Sequence, residues 1–96
     1  MKTQTILTRL KKLKPIILDR YKAKEIGLFG SFARGEQQEQ SDIDVLVEFE
    51  SEADLFDLIG LSQFLEDELQ RKVDIVPKRA LREELRDIVL PEVVAI

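Results

Sequence analysis

A pair of aspartates separated by one residue, at the start of an apolar segment, constrains this chain more than any other feature. Asp42 and Asp44 lead into Val45, Leu46 and Val47, a run typical of a β-strand. Alternate strand residues point to the same face, so the two carboxylates share a face, with their Cα atoms roughly 6.6 Å apart. Two negative charges ~5 Å apart repel by roughly 3 kcal/mol at an effective dielectric constant of about 20. Either a bridging cation or full hydration relieves this repulsion, and the apolar neighbours favour the cation because they place the pair at the rim of a core.

An apolar run that ends in Gly30 and Ser31 precedes the aspartates and predicts a strand followed by a tight turn. Gly30 permits the turn and lets a ligand approach the backbone. Ser31 is a favourable N-cap residue for a short helix that includes Arg34 and ends at Gly35. The free N–H groups at a helix start attract phosphate. This signal is weak by itself, because many folds of the α/β class use such turns for structure alone.

The chain contains no cysteine and no histidine. Their absence excludes disulfides, thiolate metal sites, cysteine nucleophiles and the pairing of serine with histidine. A metal in this protein must therefore be bound by oxygen ligands, which indicates magnesium or manganese.

Charge is distributed unevenly along the chain. Residues 36–68 contain twelve aspartates or glutamates and no lysine or arginine, whereas residues 1–35 contain nine lysines or arginines. An acidic central segment suits a divalent cation or a basic protein partner and suits duplex DNA poorly, so we expect no direct nucleic-acid binding. A solvated acidic face is the plainer explanation of such a run, but the spacing of Asp42 and Asp44 favours the metal. The basic residues of the first segment are predicted to form a solvated helix face rather than a phosphate-binding surface.

The chain has no apolar run that approaches the ~20 residues needed to cross a bilayer. Its first five residues are too polar to begin a signal peptide. A length of 96 residues with 44% apolar content suits one domain with a modest core. We therefore expect a single cytoplasmic domain over residues 1–96, without a membrane partner.

Apolar periodicity predicts three helices and three strands in addition to the short turn helix. The predicted helices cover about residues 4–14, 55–70 and 81–89, and the predicted strands cover residues 25–29, 41–49 and 72–76. Pro15 is expected to kink or interrupt the first helix, with Ile17, Leu18 and Tyr21 continuing its apolar face beyond the proline. The acidic turn at residues 50–54 is expected to cap the second helix, which is predicted to belong to the core. The apolar tail at residues 91–96 either packs back on the domain or contributes to an oligomer interface.

Asp74 is a lone carboxylate among the apolar residues of the last predicted strand. A single aspartate in a short strand can lie on a solvated sheet face. It joins Asp42 and Asp44 if the two strands are neighbours. The earlier pair makes the second interpretation the favoured one, with Asp74 as a third catalytic carboxylate.

These features in combination resemble the nucleotidyltransferases of the DNA polymerase beta superfamily. The shared motif runs from Gly30-Ser31 through Ala33-Arg34-Gly35 to Ser41-Asp42 and Asp44, and Val73-Asp74 completes it. Metal-assisted nucleotidyl transfer needs oxygen ligands from two strands opposite a turn that binds phosphate. The short chain is similar to the minimal nucleotidyltransferase group, the MntA-like antitoxin half of HEPN–MNT toxin–antitoxin pairs.

The resemblance implies a small α/β (α+β) nucleotidyltransferase fold in which a mixed β-sheet packs against helices. The implied catalytic and metal-binding residues, for two Mg²⁺ ions, are Asp42, Asp44 and Asp74. By the same resemblance Asp74 also activates the acceptor hydroxyl, Gly30 and Ser31 hold the nucleotide phosphates, and Arg34 contacts the nucleotide or the partner. The implied reaction transfers AMP from the substrate ATP to a tyrosine of the HEPN ribonuclease toxin, which is the implied protein partner.

Three functions remain open on the sequence. The chain is a Mg-dependent AMP transferase, a non-catalytic antitoxin that masks its toxin by direct binding, or a nucleotidyltransferase that acts on a small molecule such as an aminoglycoside. The intact carboxylates favour the first function, because a pure binding module has no need for a repelling pair of aspartates. The third ranks last, because such enzymes generally carry a further substrate-binding domain for which 96 residues leave no room.

Overall fold

A four-stranded mixed β-sheet organises the fold. The computed structural model describes residues 1–96 and contains the strands β1 (Ala23–Phe29), β2 (Ile43–Phe49), β3 (Val73–Pro77) and β4 (Val94–Ala95). Their order in the sheet is β3-β2-β1-β4. Strands β2 and β3 are parallel, whereas β1 is antiparallel to both β2 and β4. The predicted fold class, a mixed sheet packed against helices, is confirmed.

Four α-helices and two 3₁₀ turns connect and cover the strands. The α-helices are α1 (Thr3–Arg20), α2 (Gly30–Arg34), α3 (Leu55–Leu69) and α4 (Glu83–Val89), and the 3₁₀ turns are Lys78–Ala80 and Leu90–Glu92. None of these helices combines the length and the apolar content that a membrane-spanning helix requires.

One face of the sheet carries the hydrophobic core. Leu28 of β1 pairs with Val45 of β2, and both side chains are fully buried on this face. Helices α1 and α3 cover it with a continuous buried cluster that includes Ile6, Leu10, Ile17, Leu61, Leu65 and Leu69. The opposite face carries Asp44 and Asp74, because successive strand residues alternate between faces. The helices therefore leave the aspartate-bearing face to the C-terminal part of the chain.

Helix α1 continues through Pro15, which corrects the predicted interruption. A proline inside a helix removes one backbone hydrogen bond and crowds the preceding turn. The apolar stripe nevertheless extends across it, because Leu10 and Ile17, on either side of the proline, are both fully buried in the core. Tertiary packing therefore outweighs the local cost of the proline.

Helix α3 is capped as predicted, but only part of it belongs to the core. Asp54 and Asp57 form a reciprocal capping box at its start. The first turns leave Leu55, Phe56 and Ile59 exposed, with 66%, 83% and 54% of each residue accessible. The prediction that the whole helix is core is therefore wrong for its start, whereas Leu61 and the residues after it supply the buried stripe.

The C-terminal tail packs back on the domain as a fourth strand, which the sequence reasoning did not assign. β4 pairs with Gly27 and Leu28 of β1, and the Ile96 N–H donates a hydrogen bond of 3.1 Å to the Ile26 carbonyl. The ammonium group of Lys14 in α1 donates to the Ile96 carbonyl at 2.6 Å. Of the two predicted placements of the tail, the structure therefore has the one within the domain.

Strand β3 extends one residue beyond its predicted end, because Pro77 still lies opposite Val47 of β2. Proline lacks an N–H donor and is tolerated on an edge strand, where that donor has no partner strand to meet. β3 is such an edge strand.

Replacing Leu61 with alanine is expected to lower the free energy of unfolding by about 2–5 kcal/mol, because the fully buried side chain leaves a cavity. Leu55→Ala in the same helix is the matched control and is expected to change it by less than about 0.5 kcal/mol, because Leu55 is exposed. Urea denaturation followed by circular dichroism measures both variants. Equal losses would contradict the packing described for α3.

Candidate active site

The parallel pairing of β2 with β3 brings the predicted carboxylates together. Asp44 lies directly opposite Asp74 in the register of the two strands. Neighbouring strands are about 4.8 Å apart, and opposite residues project to the same face. Asp42 lies two residues before Asp44, just ahead of β2, and is half-buried like Asp44, whereas Asp74 is exposed. The sequence predicts that Asp74 joins Asp42 and Asp44 if its strand neighbours theirs. Strand β3 does lie next to β2.

The glycine of the turn lies against the central aspartate. Gly30 has a φ of 76°, in the left-handed region that favours glycine. A Cβ atom added to Gly30 would overlap the carboxylate oxygen Oδ2 of Asp44. Any other residue at this position would therefore both strain the backbone and displace the carboxylate. The predicted phosphate-binding turn and the predicted metal-binding pair are in direct contact.

Ser31 does not act as the helix N-cap that the sequence predicts. Helix α2 starts at Gly30, its N-cap residue is Phe29, and no side chain caps it. The left-handed Gly30 turns the chain one residue earlier, so that Ser31 already lies inside the first turn. Gly35 ends the helix in a left-handed conformation, as predicted.

The three carboxylates have no hydrogen-bond or salt-bridge partner. No hydrogen bond or salt bridge involves Asp42, Asp44 or Asp74. Partial burial raises the pKa of Asp44 above its ordinary value, and the negative charges of Asp74 and Asp42 raise it further, while Arg34 opposes the shift. The ionised form of Asp44 is therefore less well stabilised here than in water, and a bound cation would stabilise it.

The donor set suits a hard divalent cation such as Mg²⁺, which prefers carboxylate oxygens. The side chains do not converge into a ready-made group of three ligands. Mg²⁺ is commonly bound through one or two carboxylates together with substrate phosphates and water, rather than by an all-protein cage. An open arrangement of unpaired aspartates beside a turn fits that mode of binding, in which a nucleotide completes the coordination.

A cleft of about 370 Å³ opens beside Asp44 and Asp74. This volume lies within the range of roughly 300–1,000 Å³ found for small-molecule sites. The hydrophobic residues that line it are Phe29, Val76, Ala80, Leu81, Leu85 and Val89. A second cleft, of about 220 Å³, lies on the same side of the sheet between Leu46 and Val93 and contains none of the predicted site residues.

Two charged residues that the sequence does not assign to the site lie close to it. Arg82 lines the cleft together with Asp44 and Asp74 and is the cationic residue in its wall. Glu92 accepts a hydrogen bond of 3.3 Å from the Gly30 N–H. Neither residue belongs to a motif, and only the return of the C-terminal segment over the sheet places them here. No signal in a single sequence could have identified them.

Arg34 is engaged by two carboxylates. Its guanidinium donates to Glu36 at 2.9 Å and to Glu92 at 3.2 Å and 3.3 Å. Hydrogen bonds to Glu36 and then to Glu92 raise the pKa of Arg34 above its ordinary value. Arg34 thus stands next to the turn, but its charge is shared with protein acids, and its predicted contact with a nucleotide or partner stays a prediction.

Comparison with known proteins agrees with this geometry. The chain matches the family model of the nucleotidyltransferase domain over residues 10–96. A relative named protein adenylyltransferase MntA, from Thermococcus cleftensis, is 43% identical over 91 residues, which are 95% of this chain and 89% of that protein.

Solved structures extend the comparison to the fold. A structure described as a minimal nucleotidyltransferase superposes with a TM-score of 0.84 at 40% identity, covering 100% of this chain and 95% of that one. A structure of a tri-AMPylated HEPN toxin in complex with an MNT antitoxin, from Shewanella oneidensis, contains a chain with a TM-score of 0.65 at 27% identity, covering 93% of this chain and 68% of that one. The family predicted from the motif is confirmed, and the chain therefore belongs to the nucleotidyltransferase domain family as an enzyme of the minimal nucleotidyltransferase group.

Proposed function

We propose that this protein is a Mg²⁺-dependent protein adenylyltransferase that transfers AMP from ATP to a tyrosine of a HEPN-type toxin and thereby acts as its antitoxin. The observation that carries the proposal is the direct register of Asp44 with Asp74 beside the Gly30 turn, on the open face of the sheet. Unpaired carboxylates at this position are costly to a chain that does not bind a cation and useful to one that does.

Each residue has a defined task in the proposed reaction. Asp42 and Asp44 would hold Mg²⁺, and the ion, when bound, would supply positive charge to the phosphates and to the attacking oxygen. Gly30 and Ser31 bind the triphosphate through the turn, close to Asp44. Asp74 accepts the proton of the tyrosine hydroxyl. The new bond joins the tyrosine oxygen to the α-phosphorus of ATP, the bond between this phosphorus and the β-phosphate oxygen breaks, and pyrophosphate leaves.

The relatives support the choice of acceptor. The relative from Thermococcus cleftensis is named as a protein adenylyltransferase, and the Shewanella oneidensis complex combines an MNT antitoxin with a tri-AMPylated HEPN toxin. A protein acceptor also agrees with a cleft that is open to solvent at Arg82 and Leu85, both of which are exposed.

Incubation with α-labelled ATP, Mg²⁺ and a HEPN-type toxin protein is expected to transfer label to the toxin. Asp42→Asn and Asp44→Asn are expected to reduce the transfer rate by at least about a hundredfold, because each removes a metal ligand. Scintillation counting of the separated proteins measures the transfer. Asp87→Asn, an exposed aspartate on α4, is the matched control and is expected to retain wild-type activity. Transfer that persists in both site variants would contradict the proposed roles.

The metal role also predicts the stability of the metal-free protein. Because the pKa of Asp44 is raised, the folded state binds more protons than the unfolded chain, so stability falls as the pH rises above the ordinary Asp value of 3.8. Asp44→Asn removes this penalty and is expected to raise the free energy of unfolding at pH 7 by a few tenths to about 1 kcal/mol. Urea denaturation in EDTA at pH 4 and pH 7 measures the difference. A variant less stable than the wild type at pH 7 would show that Asp44 has a structural role.

A second candidate, the non-catalytic antitoxin, is favoured by one specific observation. The exposed side chains of Leu55, Phe56 and Ile59 form an apolar surface on α3, which we call the α3 patch. The turn directly before α3 contains the acidic residues Glu50, Glu52 and Asp54. A symmetric pair of identical chains joined by this patch would bring two acidic turns together, so a different protein with basic residues around an apolar groove is the better occupant.

Phe56→Ser is expected to weaken the complex with the HEPN-type protein by about tenfold or more, because it removes the most exposed side chain of the α3 patch. Nucleotide binding is expected to be unchanged, because the patch lies at the end of β2 away from Asp44. Isothermal titration calorimetry measures both affinities. Ile16→Ser, which alters an exposed isoleucine on α1, serves as the control. A tight complex that neutralises the HEPN-type toxin without any label transfer would instead favour the non-catalytic antitoxin.

A further inference from the structure

We propose that Arg71 is a positioning residue that holds the loop bearing Asp42 against the turn bearing Gly30. This inference rests on the proposed function, because it assigns Arg71 a part in the geometry of the same site. Arg71 lies just after α3 and three residues before Asp74. It belongs to none of the motifs that identify the family in this sequence.

The guanidinium of Arg71 donates hydrogen bonds to three carbonyls of a single loop. Nε donates to the Ser41 carbonyl at 2.9 Å, and Nη2 donates to the carbonyls of Gln38, at 3.2 Å, and of Glu39. The loop also closes on itself, because the Ser41 N–H donates to the Gln38 carbonyl and the Gln38 N–H donates to the Ser41 hydroxyl. The last residue of this closed turn directly precedes Asp42. Arg71 therefore fixes the backbone from which Asp42 projects.

The same guanidinium packs on helix α2. Its central carbon lies 5.3 Å from the centre of the Phe32 ring, within the range of a cation–π contact. Phe32 is fully buried and directly follows Ser31 in α2. The contact connects the Asp42 loop to the helix that begins with the predicted phosphate-binding turn.

The backbone beside Arg71 connects the segment that carries Asp42 to strand β3, which carries Asp74. The Ile43 N–H donates to the Lys72 carbonyl at 3.0 Å, and Ile43 pairs with Val73 in the parallel register. Ile43 directly follows Asp42, and Val73 directly precedes Asp74. Arg71 is thus the point at which the three segments that carry the predicted site residues meet.

Only arginine can make this set of contacts. Its guanidinium presents five N–H donors in a fixed plane and stacks on aromatic rings, whereas lysine has a single ammonium group. Twelve acidic residues lie between residues 36 and 68, and yet Arg71 forms no salt bridge with any of them. An arginine whose charge merely balanced the acidic segment would pair with a carboxylate. Arg71 instead pairs with backbone carbonyls, which orders the chain.

The test compares Arg71→Met and Arg71→Lys with the wild type. Arg20→Met is the matched control, because Arg20 is exposed at the end of α1. Three measurements are made on each protein: the thermal midpoint of unfolding, the amide hydrogen exchange of Ser41 and Ile43 without metal, and the binding of Mn²⁺ by electron paramagnetic resonance with a non-hydrolysable ATP analogue. Methionine retains contact with the Phe32 ring but loses every hydrogen bond of the guanidinium.

Both Arg71 variants are expected to remain folded, to exchange the Ser41 and Ile43 amides at least tenfold faster, and to bind Mn²⁺ about tenfold to a hundredfold more weakly. Arg20→Met is expected to match the wild type. Unchanged exchange in Arg71→Met, or full recovery of exchange and Mn²⁺ affinity by Arg71→Lys, would overturn the inference. If the wild type itself fails to bind Mn²⁺, the proposed function fails, while the exchange measurement alone still decides whether Arg71 orders the loop.

Discussion

The partly buried charge of Asp44, with Asp74 and Asp42 nearby, is the constraint on which the candidate site depends. The parallel register of β2 and β3 places Asp44 opposite Asp74, and Asp42 lies two residues before Asp44. No lysine or arginine forms a salt bridge with any of the three. Partial burial and the neighbouring charges raise the pKa of Asp44. Under the proposed function, a bound cation would offset this unfavourable charge and stabilise the folded chain.

The packing of the fold leaves this cluster accessible. Both long helices, α1 and α3, cover one face of the sheet, and the aspartates lie on the other. The C-terminal segment crosses the aspartate-bearing face and ends as β4 on the opposite edge, which leaves an open cleft beside Asp44. The absence of a side chain at Gly30 leaves room for Asp44, because a Cβ would overlap the Asp44 carboxylate. The site is therefore a product of sheet register and of one glycine rather than of a preformed metal cage.

Much of this arrangement is predictable from the sequence. The features that are not predictable depend on contacts between distant parts of the chain. The alternation of residues around Asp42 and Asp44 predicts their shared face, and the apolar runs predict β1, β2 and β3 within a few residues. The exposed start of α3 could not be predicted, because periodicity identifies an apolar stripe but not which part of it the rest of the fold covers. β4, Arg82, Glu92 and the contacts of Arg71 depend on pairings between residues distant in the chain, which no local pattern encodes.

The position of a bound metal tests the proposed active site most directly. Crystals grown with Mn²⁺ and a non-hydrolysable ATP analogue would locate the ion by its anomalous scattering. We predict a manganese peak bound by Asp42 and Asp44, close to Asp74, with the triphosphate against Gly30 and Ser31. A nucleotide that binds in the cleft without manganese at these aspartates, or manganese bound elsewhere on the chain, would contradict this prediction.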